Sequence, residues 1–330
     1  MIVFPNLFIH GRYSYDGVIH IYNTASGIEF NASAFFIKVK MKAVANQKEL
    51  AWCRFIIDDD YKSALDIKID DKEKEYVLFS SSIKKNHNFK LLKVSEAIES
   101  YVDIMDILVN GDFCEKPSYD KTFLIYGDST ISAYGNLGKV GEEKTFFDTD
   151  GLNGYAFLTC KAFNATMNSV NGSGWGLSFS PWTTPKRRPL LALYDKVAPL
   201  SSLSYDMKNL NPSLVIISLG TNDSYYFIEG ETGKTKDELI KEFKDDYFKL
   251  LSNIKRDFSN VPIIMVYGVM KERHNYKVMK EIYLDNKDKF NLYEALIEGD
   301  GLGISAHPSK DSHHHISEVL IEKIKEIIGE

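Results

Sequence analysis

The chain has 330 residues, 44% of them hydrophobic and 26% charged, a globular composition that excludes a disordered, collagenous or coiled-coil chain. Lys and Arg number 40 against 46 Asp and Glu, giving a formal charge of −6 with no basic excess to counter phosphates, so nucleic acid is not an expected partner. No apolar run approaches the roughly 18 residues of a membrane-spanning helix, and Cys53, Cys114 and Cys160 lack the spacing of a disulfide framework or a zinc knuckle.

Up to about Lys116 the apolar pattern is short and strand-like. Runs at 18–23, 35–41, 52–57, 64–69, 76–80, 89–94 and 103–109 are separated by polar or Gly-containing turns, and several alternate apolar with polar residues, as in Phe36-Ile-Lys-Val-Lys-Met. This predicts an antiparallel β-sandwich over residues 1–116. The polar stretch from Cys114 to Lys121 reads as a connector. Beyond it, short unbroken apolar runs at 123–126, 214–219 and 263–267 alternate with helical patterns near 154–163, 237–258 and 275–286 and with a last helix. Buried strands covered by helices predict a parallel-sheet α/β domain over 117–330. The chemistry of such a sheet lies just past the carboxyl ends of its strands.

Gly127-Asp128-Ser129 follows the first of those strands, Gly220-Thr221-Asn222-Asp223 a later one, and His307-Pro308 precedes the last helix. A hydroxyl, an amide and an imidazole on three loops of one sheet edge are the parts that acyl transfer needs. The G-x-S-x-G elbow is not met, because Ile131 holds its last position. These blocks resemble the SGNH (GDSL) hydrolases. With His10-Gly-Arg, Ser26-Gly-Ile-Glu-Phe and Ser173-Gly-Trp-Gly in the same order, the whole arrangement is similar to carbohydrate esterase family 2, whose members set a jelly-roll-type sandwich before the SGNH domain.

The resemblance implies a serine esterase that removes O-acetyl groups from xylan, mannan or derived oligosaccharides through an acetyl-enzyme, without cofactor or metal. It implies Ser129 as nucleophile and His307 as base, with the Ser129 N–H, the Gly174 N–H and the Asn222 amide as oxyanion donors. Ile304 stands three residues before His307, where many SGNH enzymes carry aspartate. A Ser-His dyad steadied by a backbone carbonyl is therefore expected, with Asp300 as the alternative orienting group. Trp175, Trp182, Tyr225 and Tyr226 are candidates to stack on a sugar ring. Asp128 and Asp223 are expected to tie loops rather than react, and His313 to pack beside the site.

Successive helical residues point in different directions, so the run His313-His-His reads as a solvated helix face rather than a metal site. Gly230-Glu-Thr-Gly-Lys-Thr lacks the first glycine of a phosphate loop; Pro185-Lys-Arg-Arg-Pro is a short basic patch that would suit an acidic sugar. Two other functions share these residues: an esterase or acetyl transferase acting on bacterial envelope glycans, and a non-catalytic glycan-binding protein. Cysteine usage points to the cytoplasm if the chain is complete, and a removed signal peptide would make the protein secreted. Oligomeric state is not readable.

Overall fold

A computed structural model describes residues 4–145, 147–182, 189–229 and 233–329, so the basic patch at 185–188 and the glycine turn at 230–232 lie outside the described residues. The first part is one antiparallel sheet of β1 (Phe8–His10), β2 (Tyr13–Tyr15), β3 (Ile19–Ile21), β4 (Gly27–Ala45), β5 (Trp52–Ile57), β6 (Leu65–Lys68), β7 (Lys74–Lys93) and β8 (Ser100–Phe113). The strand order is β2-β3-β8-β4-β7-β5-β6, with β1 also on β4. Residues from both edges, Ile19 and Ile21 of β3 and Cys53, Phe55 and Ile67 of β5 and β6, share one core, so the sheet folds over on itself.

The bend is written in β4. Ile28, Phe30, Ala32 and Ala34 face the core on even numbers, and Ile37, Val39, Met41 and Ala43 on odd ones. A bulge between Ala34 and Phe36 supplies the extra residue that changes the phase. The predicted runs at 76–80 and 89–94 are consequently two ends of a single long strand, β7, and the run at 35–41 is the second half of β4.

The second part is a parallel sheet of β9 (Lys121–Gly127), β10 (Ala165–Asn171), β11 (Leu214–Ser218), β12 (Ile263–Tyr267) and β13 (Leu292–Leu296), in the order β10-β9-β11-β12-β13. Both faces are covered. In β11, Val215 and Ile217 join the core beneath α3 (Lys236–Phe258) and α4 (Tyr276–Asn286), whereas Leu214 and Ile216 join the core beneath α1 (Tyr155–Ala162) and α5 (Lys310–Ile328). That two-sided burial explains the unbroken apolar runs. A shorter helix, α2 (Ser224–Glu229), follows β11. The strand order reverses direction between β9 and β11, which opens a crevice at their carboxyl ends.

The two parts interlock. Trp52, Ile56, Leu92 and Val94 of the antiparallel sheet belong to the same core as Phe123, Ile125, Ile216 and Ile316. Arg12, wholly buried, donates to Asn168 Oδ1 (3.0 Å), to the carbonyls of Tyr194 (3.0 Å) and Lys196 (2.5 Å) and to Tyr126 Oη (3.3 Å). Arg54 reaches Asp150 at 3.0 Å, and Asn23 Nδ2 donates to the Val197 carbonyl at 2.9 Å.

Candidate active site

Loops from all five parallel strands meet at one cavity of about 660 Å³, a size typical of small-ligand sites. Ser129 and Asn222 line it, with Gly174, His307, Trp182 and Tyr225; the first domain contributes Gln47 and Ile98. Ser129 Oγ and His307 Nε2 are 2.8 Å apart. His307 Nδ1 lies 3.0 Å from the Ile304 carbonyl oxygen. A carbonyl can only accept, so Nδ1 carries the proton and Nε2 is left to accept from the Ser129 hydroxyl. Burial lowers the imidazole to about 4, against the opposing pull of the Ile304 and Ser305 backbone, so the ring is neutral at pH 7 and ready to take a proton.

The backbone before His307 is built for this contact. Ser305 (φ 53°) and Ala306 (φ 59°) are both left-handed, a conformation that costs roughly 1–2 kcal/mol per non-glycine residue. The turn brings the Ile304 carbonyl onto the His307 N–H (3.1 Å) as well as onto its ring. The residue standing where a carboxylate was missed thus supplies the orienting acceptor through its main chain. Asp300 is occupied elsewhere: it accepts from the backbone N–H of Ser309 (2.8 Å) and Leu302 (3.1 Å) and from the Ser309 hydroxyl. It holds the start of α5, where Ser309 is the cap.

Among the described residues no hydrogen bond is found for the backbone N–H of Ser129 or Gly174. Gly174 has φ +77°, which glycine adopts without strain. Asn222 Nδ2 donates to the Trp175 carbonyl (3.0 Å) and to Asp128 Oδ2 (3.3 Å). Both partners are acceptors, which fixes the amide group with its NH₂ end on that side. The longer bond, to Asp128, is the one more readily shared with an incoming oxyanion.

Two buried carboxylates brace these loops. Asp128 accepts from the Thr130 N–H (3.0 Å) and hydroxyl (2.9 Å). Asp223 accepts from three successive N–H groups, of Leu177 (2.8 Å), Ser178 (2.7 Å) and Phe179 (2.9 Å), and so anchors the segment carrying Gly174. Burial raises each to about 6, opposed by those backbone donors. A side chain at Gly176 would collide with the Phe179 carbonyl (2.0 Å) and Asp223 (2.6 Å), so only glycine permits the anchor.

Trp182 is 65% and Tyr225 38% exposed, with ring centroids 4.9 Å apart, and both present ring surface to the cavity. Trp175 does not: it is 1% exposed and packs in the core with Tyr126 and Leu177, which corrects the expectation of a stacking ring. Tyr226 packs at the margin of that same core. The run His313-His-His is not solvated throughout: His313 is fully buried, in keeping with the packing role expected of it. Its ring stacks on Tyr155 at 5.7 Å, and its Nδ1 accepts from the Tyr155 N–H at 3.3 Å. His314 turns to Asn153 (3.2 Å) and His315 to Glu318 (4.0 Å), so the three rings diverge.

Other residues of the site went unread. Tyr134 lies 4.7 Å, ring to ring, from His307. Glu96, wholly buried on the loop after β7, accepts from the hydroxyls of Ser132 (3.3 Å) and Ser173, tying the Ser129 and Gly174 segments to the first domain. Burial raises its carboxyl to about 7, with Glu99 adding and Lys144 opposing. Glu272 and His274, past the end of β12, also line the cavity. Position alone was their signal, since that strand end was the one to which no residue had been assigned.

Comparison with known proteins places both parts of the chain among described families. A model described as Carbohydrate esterase 2 N-terminal matches residues 9–117, and one described as GDSL-like Lipase/Acylhydrolase matches residues 123–320. The cellulase/esterase CelE of Acetivibrio thermocellus is 27% identical over 74% of this chain, which covers 30% of that protein. An acetylxylan esterase / glucomannan deacetylase of Cellvibrio japonicus is 24% identical over 64% of this chain and 61% of its own length. The chain thus spans less than two thirds of either relative. An active-site mutant of a family two carbohydrate esterase from Clostridium thermocellum, solved with a cello-oligosaccharide, superposes with TM-score 0.87 over 98% of this chain and 99% of that one, at 22% identity.

Proposed function

Because the chain belongs to the GDSL-like lipase/acylhydrolase family, we propose that it is a serine esterase that removes acetyl groups from carbohydrates, with acetylated xylan, glucomannan or their oligosaccharides as substrates. The observation that carries this reading is the 2.8 Å contact between Ser129 Oγ and a neutral, carbonyl-held His307. The names of the two relatives, one an esterase and one a deacetylase of xylan and glucomannan, support the substrate class.

In the proposed reaction the Ser129 oxygen attacks the acetyl carbonyl while its proton passes to His307 Nε2. The carbonyl oxygen becomes an oxyanion received by the N–H groups of Ser129 and Gly174 and by the Asn222 amide. Collapse breaks the bond to the sugar oxygen, and His307 returns the proton to that oxygen, freeing the sugar hydroxyl and leaving acetyl-Ser129. Water then attacks the acetyl-enzyme, giving a proton to His307 and releasing acetic acid as Ser129 recovers its hydrogen. The Ile304 carbonyl keeps Nε2 aimed throughout and stabilises the passing imidazolium less than a carboxylate would.

Acetate release from 4-nitrophenyl acetate, acetylated xylan and acetylated glucomannan tests this. Ser129→Ala is expected to lower kcat by a factor on the order of 10⁵ to 10⁶. Acetate release that survives this substitution overturns the reading. Sugar binding without release by the unaltered protein would favour the glycan-binding alternative.

A further inference from the structure

We propose that Glu272 selects the substrate: its carboxyl accepts a hydrogen bond from a free sugar hydroxyl next to the ester-bearing oxygen, so that neutral, partly acetylated rings are preferred. This rests on the esterase reading above. Glu272 lines the same cavity as Ser129, His307, Trp182 and Tyr225. Its Oε1 is buried and has no hydrogen-bond partner among the described residues. It precedes the short helical turn Arg273–Asn275 yet makes no side-chain cap to it.

The nearby cations do not serve it. Lys271 Nζ donates to the Asp300 carbonyl at 2.9 Å, and Arg273 pairs with Glu298 at 3.1 Å. A carboxyl left without a cation repels acidic sugars and suits hydroxyl donors. Burial raises it to about 7, with Asp128 adding and the backbone of Glu272 and Met270 opposing, so near neutrality it can donate as well as accept.

The loop that carries Glu272 is fixed rather than free to swing the group into solvent. Lys271 is left-handed (φ 61°) and donates its N–H to the Gly268 carbonyl at 2.7 Å. Asn275 Nδ2 donates to the Gly220 carbonyl at 3.1 Å, which fastens the loop to the segment that carries Asn222. A strained, pinned loop that presents an unpartnered acceptor is the arrangement of a preformed binding site. Exposed rings of Trp182 and Tyr225 offer the faces of a pyranose a surface in the same cavity.

The test compares three acetyl esters: a methyl xyloside with one acetyl group and two free hydroxyls, the fully acetylated methyl xyloside, and 4-nitrophenyl acetate. The unaltered protein is expected to prefer the mono-acetyl sugar to the fully acetylated one. Glu272→Ala is expected to lower kcat/KM for the mono-acetyl sugar at least tenfold more than for the other two, and Glu272→Gln, which keeps an acceptor, to recover most of the difference. Equal losses on all three esters, in variants that melt as the unaltered protein does, assign Glu272 a structural role and overturn the proposal. So does an undiminished preference in both variants. If the unaltered protein cleaves none of the three, the esterase reading itself falls.

Discussion

The two sheets serve one cleft in unequal ways, and strand direction is the reason. In the parallel sheet every carboxyl end points to the same edge, so five successive loops deliver Ser129, Gly174, Asn222, Glu272 and His307 to one cavity. In the antiparallel sheet consecutive strand ends alternate between edges. Among the described residues, the loops after β4 and β7 line the cleft with Gln47 and Ile98, and Glu96 beside them braces its loops. A parallel sheet concentrates reactive groups; an antiparallel one lends a wall and a brace.

The most severe way to break the comparison is to separate its parts. Residues 117–330 alone lose Trp52, Leu92 and Val94 from a shared core and the Arg12 guanidinium from Asn168 and the carbonyls of Tyr194 and Lys196. This fragment is expected to lack a cooperative thermal transition and to release no acetate; a soluble, active fragment would reduce the first sheet to an accessory. Asn222→Ala is next, with an expected loss of about 100- to 1000-fold in kcat and little change in melting temperature. A loss confined to KM would remove the amide from oxyanion stabilisation.

Glu96 sharpens the comparison at its joint. Glu96→Ala leaves the hydroxyls of Ser132 and Ser173 without their acceptor and is expected to lower kcat about 10- to 100-fold through displaced loops. Glu96→Gln, which retains an acceptor, should restore most of it, and steady-state kinetics on 4-nitrophenyl acetate would measure the difference. The smallest effect is expected at Asp300. Its carboxyl is committed to Ser309 and Leu302, so Asp300→Asn should cost less than about tenfold, against roughly 10⁴-fold for an orienting aspartate. The same dyad sets the acid limit. A base held at about 4 stays unprotonated above that pH, so the limb of kcat/KM that belongs to His307 should fall at about 4, apart from the changes near 6 to 7 set by Asp128, Asp223, Glu96 and Glu272. The absence of a limb at about 4 would contradict the burial of His307.

Much of this arrangement was readable in advance, and the omissions share a cause. Ser129, Asn222 and His307 stand out because small polar residues interrupt apolar runs, and the change from two-residue to helical periodicity marks the passage between sheets. The long strands β4 and β7 were fragmented because a bulge shifts their alternation. Trp175 was misread because a tryptophan flanked by glycines has the same local signature whether it faces solvent or core. Glu96 acquires its role through Ser132 and Ser173, 36 and 77 positions away, and no local pattern encodes such meetings.

Arg12 has a consequence for how the chain matures. Its guanidinium closes onto carbonyls 182 and 184 positions further along. On the ribosome the amino-terminal segment therefore emerges long before its acceptors exist, and its final docking must await synthesis past Lys196. Contacts of such high contact order form late and slowly, so refolding should show early β-structure followed by a delayed gain of acetate-releasing activity.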